Sequence, residues 1–274
     1  MKTIQKIIGI LINFAGLFSK ETAARMAMYL FTTPRSGQIN EKQSDFLDTS
    51  LQEEIMVENI PVMTYRWFGK GETILLAHGW ESNSARWQYL IDPLLKLNFN
   101  IIALDAPAHG RSGSKRFNAV LYGEFIKVVS KKHKADFLIG HSVGGMASVF
   151  SQNNSEYRDI SKIILLGAPA EFTDVLDRYY KMMCFSKRTI KAINQLIKDR
   201  LQAGPESFST AKYLECLTID GLIIHDEKDG IIPYQDALIL NMSLRNSKLV
   251  TTTGFGHSLI DESISNHIYE FLKS

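Results

Sequence analysis

Asp136-Phe137-Leu138-Ile139-Gly140-His141-Ser142-Val143-Gly144-Gly145 is the stretch on which the fold turns. Phe137 to Ile139 make a short apolar run, Gly140 to Gly144 fit G-x-S-x-G, and a helical pattern follows over residues 144–153. A buried strand that must pass at once into a helix needs small residues at the corner. Such a corner holds the serine hydroxyl exposed at the helix amino terminus. The five-residue pattern is common by itself, and the strand before it and the helix after it are what give it meaning.

Outward from this stretch the chain repeats one rhythm. Apolar runs at 73–77, 101–104, 137–139, 163–166, 222–224 and 249–251 alternate with helical patterns at 86–95, 121–131, 144–153, 235–242 and 258–272. Consecutive apolar positions belong to strands buried on both faces, and so to a mostly parallel sheet between layers of helices. Ahead of it, residues 53–60 and 62–68 read as a hairpin bent at Asn59-Ile60-Pro61. The rhythm breaks once, over residues 170–218, where two or three helices are expected as a cap insertion. The expected layout is an α/β domain over 45–274 behind an amino-terminal helical extension and linker, residues 1–44.

A serine hydroxyl becomes a nucleophile only when a base takes its proton, and the base in turn needs an orienting acid. His257 stands in Gly254-Phe255-Gly256-His257-Ser258, a glycine-flanked loop after the last strand, which puts it at the sheet edge where Ser142 emerges. Asp229 follows the strand 222–224 in His225-Asp226-Glu227-Lys228-Asp229-Gly230. Asp226, Glu227 and, after the sixth strand, Glu171 are the alternative acids. The chain order serine, acid, histidine is one of three known orders for such a set.

Together with His78-Gly79-Trp80 and the loop Asp105-Ala106-Pro107-Ala108-His109-Gly110-Arg111-Ser112, these motifs resemble those of the α/β-hydrolases, over residues 53–274 and so about four fifths of the chain. The resemblance implies a serine hydrolase of esterase or lysophospholipase type, with Ser142, Asp229 and His257 catalytic and the backbone N–H groups of Trp80 and Val143 forming an oxyanion hole. It implies a small-molecule acyl ester or thioester as substrate, with carbon–carbon bond hydrolase and peptidase chemistry as alternatives. Gly79 is expected to leave the substrate room to approach. Trp80 and His141 are the substrate-binding candidates, against readings in which Trp80 fills space and His141 is a satisfied structural histidine. His109 and Asp105 are expected to brace their turn, and His225 to be structural. A non-catalytic ligand-binding relative would lack a member of the serine, acid and histidine set, and all three are present.

Composition sets the frame. The chain has 274 residues, 45% hydrophobic and 22% charged, which excludes disorder, collagen and a polytopic membrane protein. Its net charge of +2 supplies no field to gather nucleic acid. Cys184 and Cys216 sit in no metal-ligand or disulfide pattern, which suits a reducing, cytoplasmic compartment. Glu81 stands where a dinucleotide loop would continue with glycine, and no metal or cofactor motif is present, so no cofactor is expected.

Charge gathers at the start: residues 1–35 carry Lys2, Lys6, Lys20, Arg25 and Arg35 against Glu21. The apolar stretch 7–18 is shorter than the ~20 residues that span a bilayer. A second helical stripe, Ala23, Met26, Ala27 and Leu30, stops at Thr33-Pro34. Three readings of these two helices stay open: packing on the body or a second subunit, peripheral contact with a membrane, and a secretory signal.

Overall fold

The computed structural model describes residues 2–153 and 160–274. The chain begins with α1 (Lys2–Phe18), α2 (Lys20–Thr32) and α3 (Glu41–Leu47), then β1 (Leu51–Val57), β2 (Ile60–Trp67) and β3 (Thr73–Ala77). A 3-10 turn, Ser84–Trp87, leads into α4 (Gln88–Lys96), followed by β4 (Asn100–Leu104), α5 (Ala119–His133), β5 (Phe137–His141), α6 (Val143–Gln152) and β6 (Lys162–Leu166). Next come α7 (Phe172–Met183), α8 (Lys187–Leu201) and α9 (Thr210–Glu215). The chain closes with β7 (Asp220–Asp226), α10 (Tyr234–Ser243), β8 (Ser247–Thr252), a 3-10 turn at Gly256–Ser258 and α11 (Glu262–Lys273).

The strands form one sheet in the order β1-β2-β4-β3-β5-β6-β7-β8. The β1–β2 and β2–β4 pairs are antiparallel and the rest parallel. Alternate residues of each inner strand point to opposite faces. Leu75 and Ala77 therefore join α5, α6 and α10 in one buried cluster, while Ile74 and Leu76 join α4 and α11 in another. A strand with a core on each side has no polar face, which is why its sequence reads as an unbroken apolar run. From β3 the chain steps to β4 on one side and later to β5 on the other, so the strand order reverses between β3 and β5. Their carboxyl ends flank the crevice where open α/β sheets bind ligands.

The hairpin turns one step earlier than its sequence suggests. Val57 pairs with Ile60, and the two turn residues, Glu58 (φ 47°) and Asn59 (φ 64°), both adopt the left-handed conformation of a type I′ turn. Pro61 lies inside β2 opposite Met56. That pair stands next to the turn-closing pair, at a non-hydrogen-bonded site of the ladder, so the missing proline N–H leaves nothing unpaired.

The residues divide into two compact units: Met1–Thr33 with Glu171–Ser209, and Pro34–Ala170 with Thr210–Ser274. The sheet unit includes α3, α9 and the stretch after Thr33, where Gly110 N–H donates to Gly37 O at 2.9 Å. The division thus falls at Thr33, before the expected linker, and α9 stands outside the helical unit. In that unit α1 and α2 share a core with α7 and α8 through Ile12, Ala23, Ala27, Leu176, Tyr179 and Ile193. Tyr179 Oη donates to Ala27 O at 2.8 Å. No helix among the described residues is long and apolar enough to cross a membrane.

Candidate active site

Four carboxyl-end loops of the sheet build the site. β5 ends at His141, and Ser142 follows with φ 54° and ψ −127° as the residue before α6. This conformation costs a residue with a Cβ of order 1 to 3 kcal/mol and persists only where its surroundings impose it. They do so here: Ser142 N–H donates to Leu166 O at 2.8 Å, and Gly145 N–H returns to Ser142 O at 2.9 Å. A Cβ on Gly144 would drive into the carbonyl oxygens of Ala77 and His78, so the first turn of α6 passes over β3 only because that residue is glycine.

His257 sits in the 3-10 turn after β8 and bridges the site. Its Nε2 lies 3.0 Å from Ser142 Oγ and its Nδ1 lies 2.7 Å from Asp229 Oδ2. The other carboxylate oxygen, Asp229 Oδ1, accepts from Ile231 N–H at 2.8 Å and Ile232 N–H at 3.0 Å. Burial works to raise the Asp229 pKa. The bonds from His225, His257 and these two N–H groups outweigh it and hold the carboxyl well below its ordinary range. An ionised carboxylate can only accept, so His257 must carry its proton on Nδ1 and present a bare Nε2 to the serine hydroxyl.

The other candidate acids are otherwise engaged. Asp226 is buried and accepts from Lys228 N–H and Phe255 N–H, each at 2.9 Å, and from Thr252 Oγ1 at 3.0 Å, tying the β7 and β8 loops together. Glu227 is exposed and accepts from Thr253. Glu171, in the helical unit, accepts from Ser209 Oγ at 2.7 Å. His225 proves more than a strand-end histidine, since its Nε2 stands 3.4 Å from Asp229 Oδ2 and 3.0 Å from Ile232 O. Its place four residues before Asp229, at the end of the same strand, is the sequence signal for that contact.

The β3 loop lies against the serine. A Cβ on Gly79 would meet His141 Nδ1 and the Ser142 Cβ, so the protein's own close packing already requires glycine there. Glu81 N–H donates to His109 Nε2 at 2.9 Å while His109 Nδ1 donates to Pro107 O at 2.8 Å, which fixes the peptide just beyond Trp80. The Trp80 ring meets His109 and Phe117 edge-on, each at 5.3 Å. Val143 begins α6, where helix N–H groups have no acceptor within the helix. Asp105 is buried with four donors, Tyr65 Oη, Ser84 Oγ and the N–H groups of Ser84 and Arg111.

His141, buried beside the serine, donates from Nε2 to His257 O at 2.8 Å, with the two rings 4.9 Å apart. Arg86 donates to the next carbonyl, Ser258 O, at 3.0 Å. Two consecutive carbonyls of the His257 turn are thus held by side chains from other loops, contacts that local sequence patterns do not reveal. Among the described residues, no group of three or more His, Cys, Asp or Glu side chains is placed to hold a metal ion.

The buried imidazoles carry a pH dependence. Burial pushes the pKa of His78 and of His141 far below the ordinary histidine range, and that of His109 below it. His78 Nε2 accepts from Ala106 N–H at 2.9 Å, a bond that a protonated ring cannot make. In the unfolded chain these rings take up protons near pH 6.5, whereas the folded rings do not. The unfolded state then binds more protons, so stability falls as pH drops below 6.5, by roughly 1 kcal/mol per pH unit for each ring. Asp105, whose pKa burial raises, takes up its proton more readily when folded and opposes this slope at the acid end. Denaturant titrations between pH 7.5 and 5.5 are expected to show the midpoint falling steadily; a flat midpoint would mean that the folded rings protonate.

The family model described as the alpha/beta hydrolase family matches residues 74–239, more than half of the chain. The chain belongs to the alpha/beta hydrolase family. This hydrolase-family chain is 23% identical to the AB hydrolase superfamily protein YisY of Bacillus subtilis (strain 168), over 75% of its own length and 93% of the relative's. It is 21% identical to a pimeloyl-[acyl-carrier protein] methyl ester esterase of Vibrio parahaemolyticus, covering 70% of this chain and 89% of that protein. In fold the hydrolase is similar to an esterase of Exiguobacterium antarcticum, with a TM-score of 0.62 and 19% identity over 82% of this chain and all of the other.

Proposed function

We propose that this α/β-hydrolase is a serine hydrolase that cleaves a carboxylic ester or thioester of a small acyl compound through an acyl-enzyme. The observation that carries the reading is the unbroken line Ser142 Oγ, His257 Nε2, His257 Nδ1 and Asp229 Oδ2, at 3.0 and 2.7 Å, with the acid held ionised. The methyl ester esterase among its relatives supports an ester bond as the target.

In the proposed cycle Ser142 Oγ attacks the carbonyl carbon as its proton passes to His257 Nε2, and Asp229 stabilises the imidazolium that forms. The N–H groups of Trp80 and Val143 receive the negative oxygen of the tetrahedral intermediate, and such donors are worth about 3 kcal/mol each in comparable sites. His257 then gives its proton to the departing alkoxide or thiolate, leaving the acyl group on Ser142. A water that surrenders a proton to the same nitrogen attacks the acyl-enzyme, and His257 returns that proton to Ser142 Oγ as the carboxylic acid leaves. Ser142, His257 and water carry every proton while Asp229 stays ionised, so the proposed cycle calls for no cofactor. Trp80 and His141, beside the elbow, are proposed to border the acyl pocket.

Treatment with a fluorophosphonate, followed by mass spectrometry, is expected to place a single adduct on Ser142 and none on Ser142→Ala. Wild-type protein that stays unlabelled would lack an activated nucleophile, and the ligand-binding reading would replace this one.

A further inference from the structure

The helix α1 is mounted with Asn13 inward and a stripe of its apolar residues outward. Asn13 faces the helical unit's interior: its Oδ1 accepts from Ser186 N–H and Thr189 Oγ1, both at 2.9 Å, and its Nδ2 donates to Cys184 O at 2.9 Å. These bonds fix the helix's rotation, with Ile8 and Ile12 on the same inner side. The opposite side carries Ile4, Ile7, Leu11, Phe14, Leu17 and Phe18, between 52% and 79% exposed. Their spacing of three and four residues lines up an unbroken stripe. A helix on the surface of a soluble body gives its outer side to charged residues; α1 gives it isoleucine, leucine and phenylalanine.

Charge identifies what covers the stripe. α1 contains no acidic residue, and two lysines are exposed, Lys6 in its second turn and Lys20 just beyond its end, at the start of α2. The helical unit, Met1–Thr33 with Glu171–Ser209, has eleven basic residues against six acidic, a net +5 in a chain whose total is +2, so the remainder carries −3. A second copy docking face to face would oppose two surfaces of the same positive sign. An anionic surface with an apolar interior satisfies both the stripe and the charge. The helix is 17 residues long, about 25 Å at 1.5 Å per residue, too short and too interrupted to cross a bilayer but suited to lie along one.

We infer that the outer side of α1 seats this protein on an anionic lipid bilayer, with the helix in the plane of the interface, its isoleucine and phenylalanine side chains at the acyl boundary and Lys6 and Lys20 among the headgroups. The inference goes beyond the hydrolase reading and does not depend on it.

Co-sedimentation of the full chain with vesicles of phosphatidylcholine, with and without phosphatidylglycerol, tests it. Binding to the anionic vesicles is expected to be about tenfold tighter or more, and to weaken as salt is raised. Ile7→Ser with Phe14→Ser, at exposed positions and with an unchanged thermal melt, is expected to weaken binding at least about tenfold. Lys6→Glu with Lys20→Glu is expected to remove the preference for anionic lipid while the stripe stays intact. Wild-type protein left in the supernatant with both vesicles would overturn the inference, as would equal binding by the serine variant. A concentration-dependent dimer abolished by the serine substitutions, without vesicle binding, would reassign the face to a second copy of the chain. Fluorophosphonate labelling of Ser142 is expected to be the same in all of these proteins, so its failure and a failure to bind lipid are read separately.

Discussion

Ser142→Ala is expected to lower kcat by about 10⁴-fold or more, with KM and thermal stability little changed. The substitution removes only the Oγ atom. The Cβ packed against Gly79 stays, and so do the backbone bonds to Leu166 and Gly145 that hold the elbow. What disappears is the proposed acceptor of the acyl group, and with it the proposed covalent intermediate. Some rate above that in water should survive if the N–H groups of Trp80 and Val143 form the proposed oxyanion hole, since they would still stabilise attack by a water molecule. Steady-state hydrolysis of short-chain p-nitrophenyl esters measures the loss, and turnover within tenfold of wild type would remove the serine mechanism.

Asp229→Asn should cost nearly as much, about 10⁴-fold in kcat, although it changes one atom. In the wild type Oδ1 takes two backbone N–H groups and Oδ2 takes His257. An asparagine must keep its carbonyl oxygen toward Ile231 and Ile232, since turning the amide there would set N–H against N–H. Its NH₂ then faces His257 Nδ1 as a donor. The ring can answer only by moving its proton to Nε2, which is where the Ser142 proton has to go. Asp226→Asn acts elsewhere: at least one of the bonds from Lys228 N–H, Phe255 N–H and Thr252 Oγ1 is lost, for about 1 to 3 kcal/mol of stability, with kcat expected within tenfold. Parallel measurement of kcat and unfolding midpoint for the two variants separates these roles, and the reverse pattern would reassign the acid.

Most of the sheet unit is legible in the residue order because its strands are buried on both faces and its corners need small residues. The runs at 73–77 and 163–166 fall within β3 and β6, and Gly140 to Gly144 lie where β5 turns into α6. The hairpin turn was legible only in part. Glu58 and Asn59 reach positive φ without a glycine to signal it, and Pro61 draws attention to a position that the ladder tolerates. The partners of α1 were not legible, because its most regular apolar stripe, the side that would be expected to dock, is the one left exposed. Asn13 decides that, through bonds to residues about 170 positions away. At the candidate site the serine, histidine and acid could be placed by motif and order. The contacts of His141 and Arg86 with the His257 turn depend on how separate loops meet at one sheet edge, whereas that of His225 with Asp229 is local to one strand end.

The helical unit is assembled from two lengths of chain with residues 34–170 between them. On a ribosome adding ~5 to 20 residues per second, α1 and α2 emerge about ten to thirty-five seconds before Ser209 completes the segment they pack against. The body's first strands can pair during that interval, whereas α1 has only α2 to pack on, because α7 and α8 do not yet exist. For that time both of its sides, the one that Asn13 later turns inward and the one left outside, are open to whatever the nascent chain meets first.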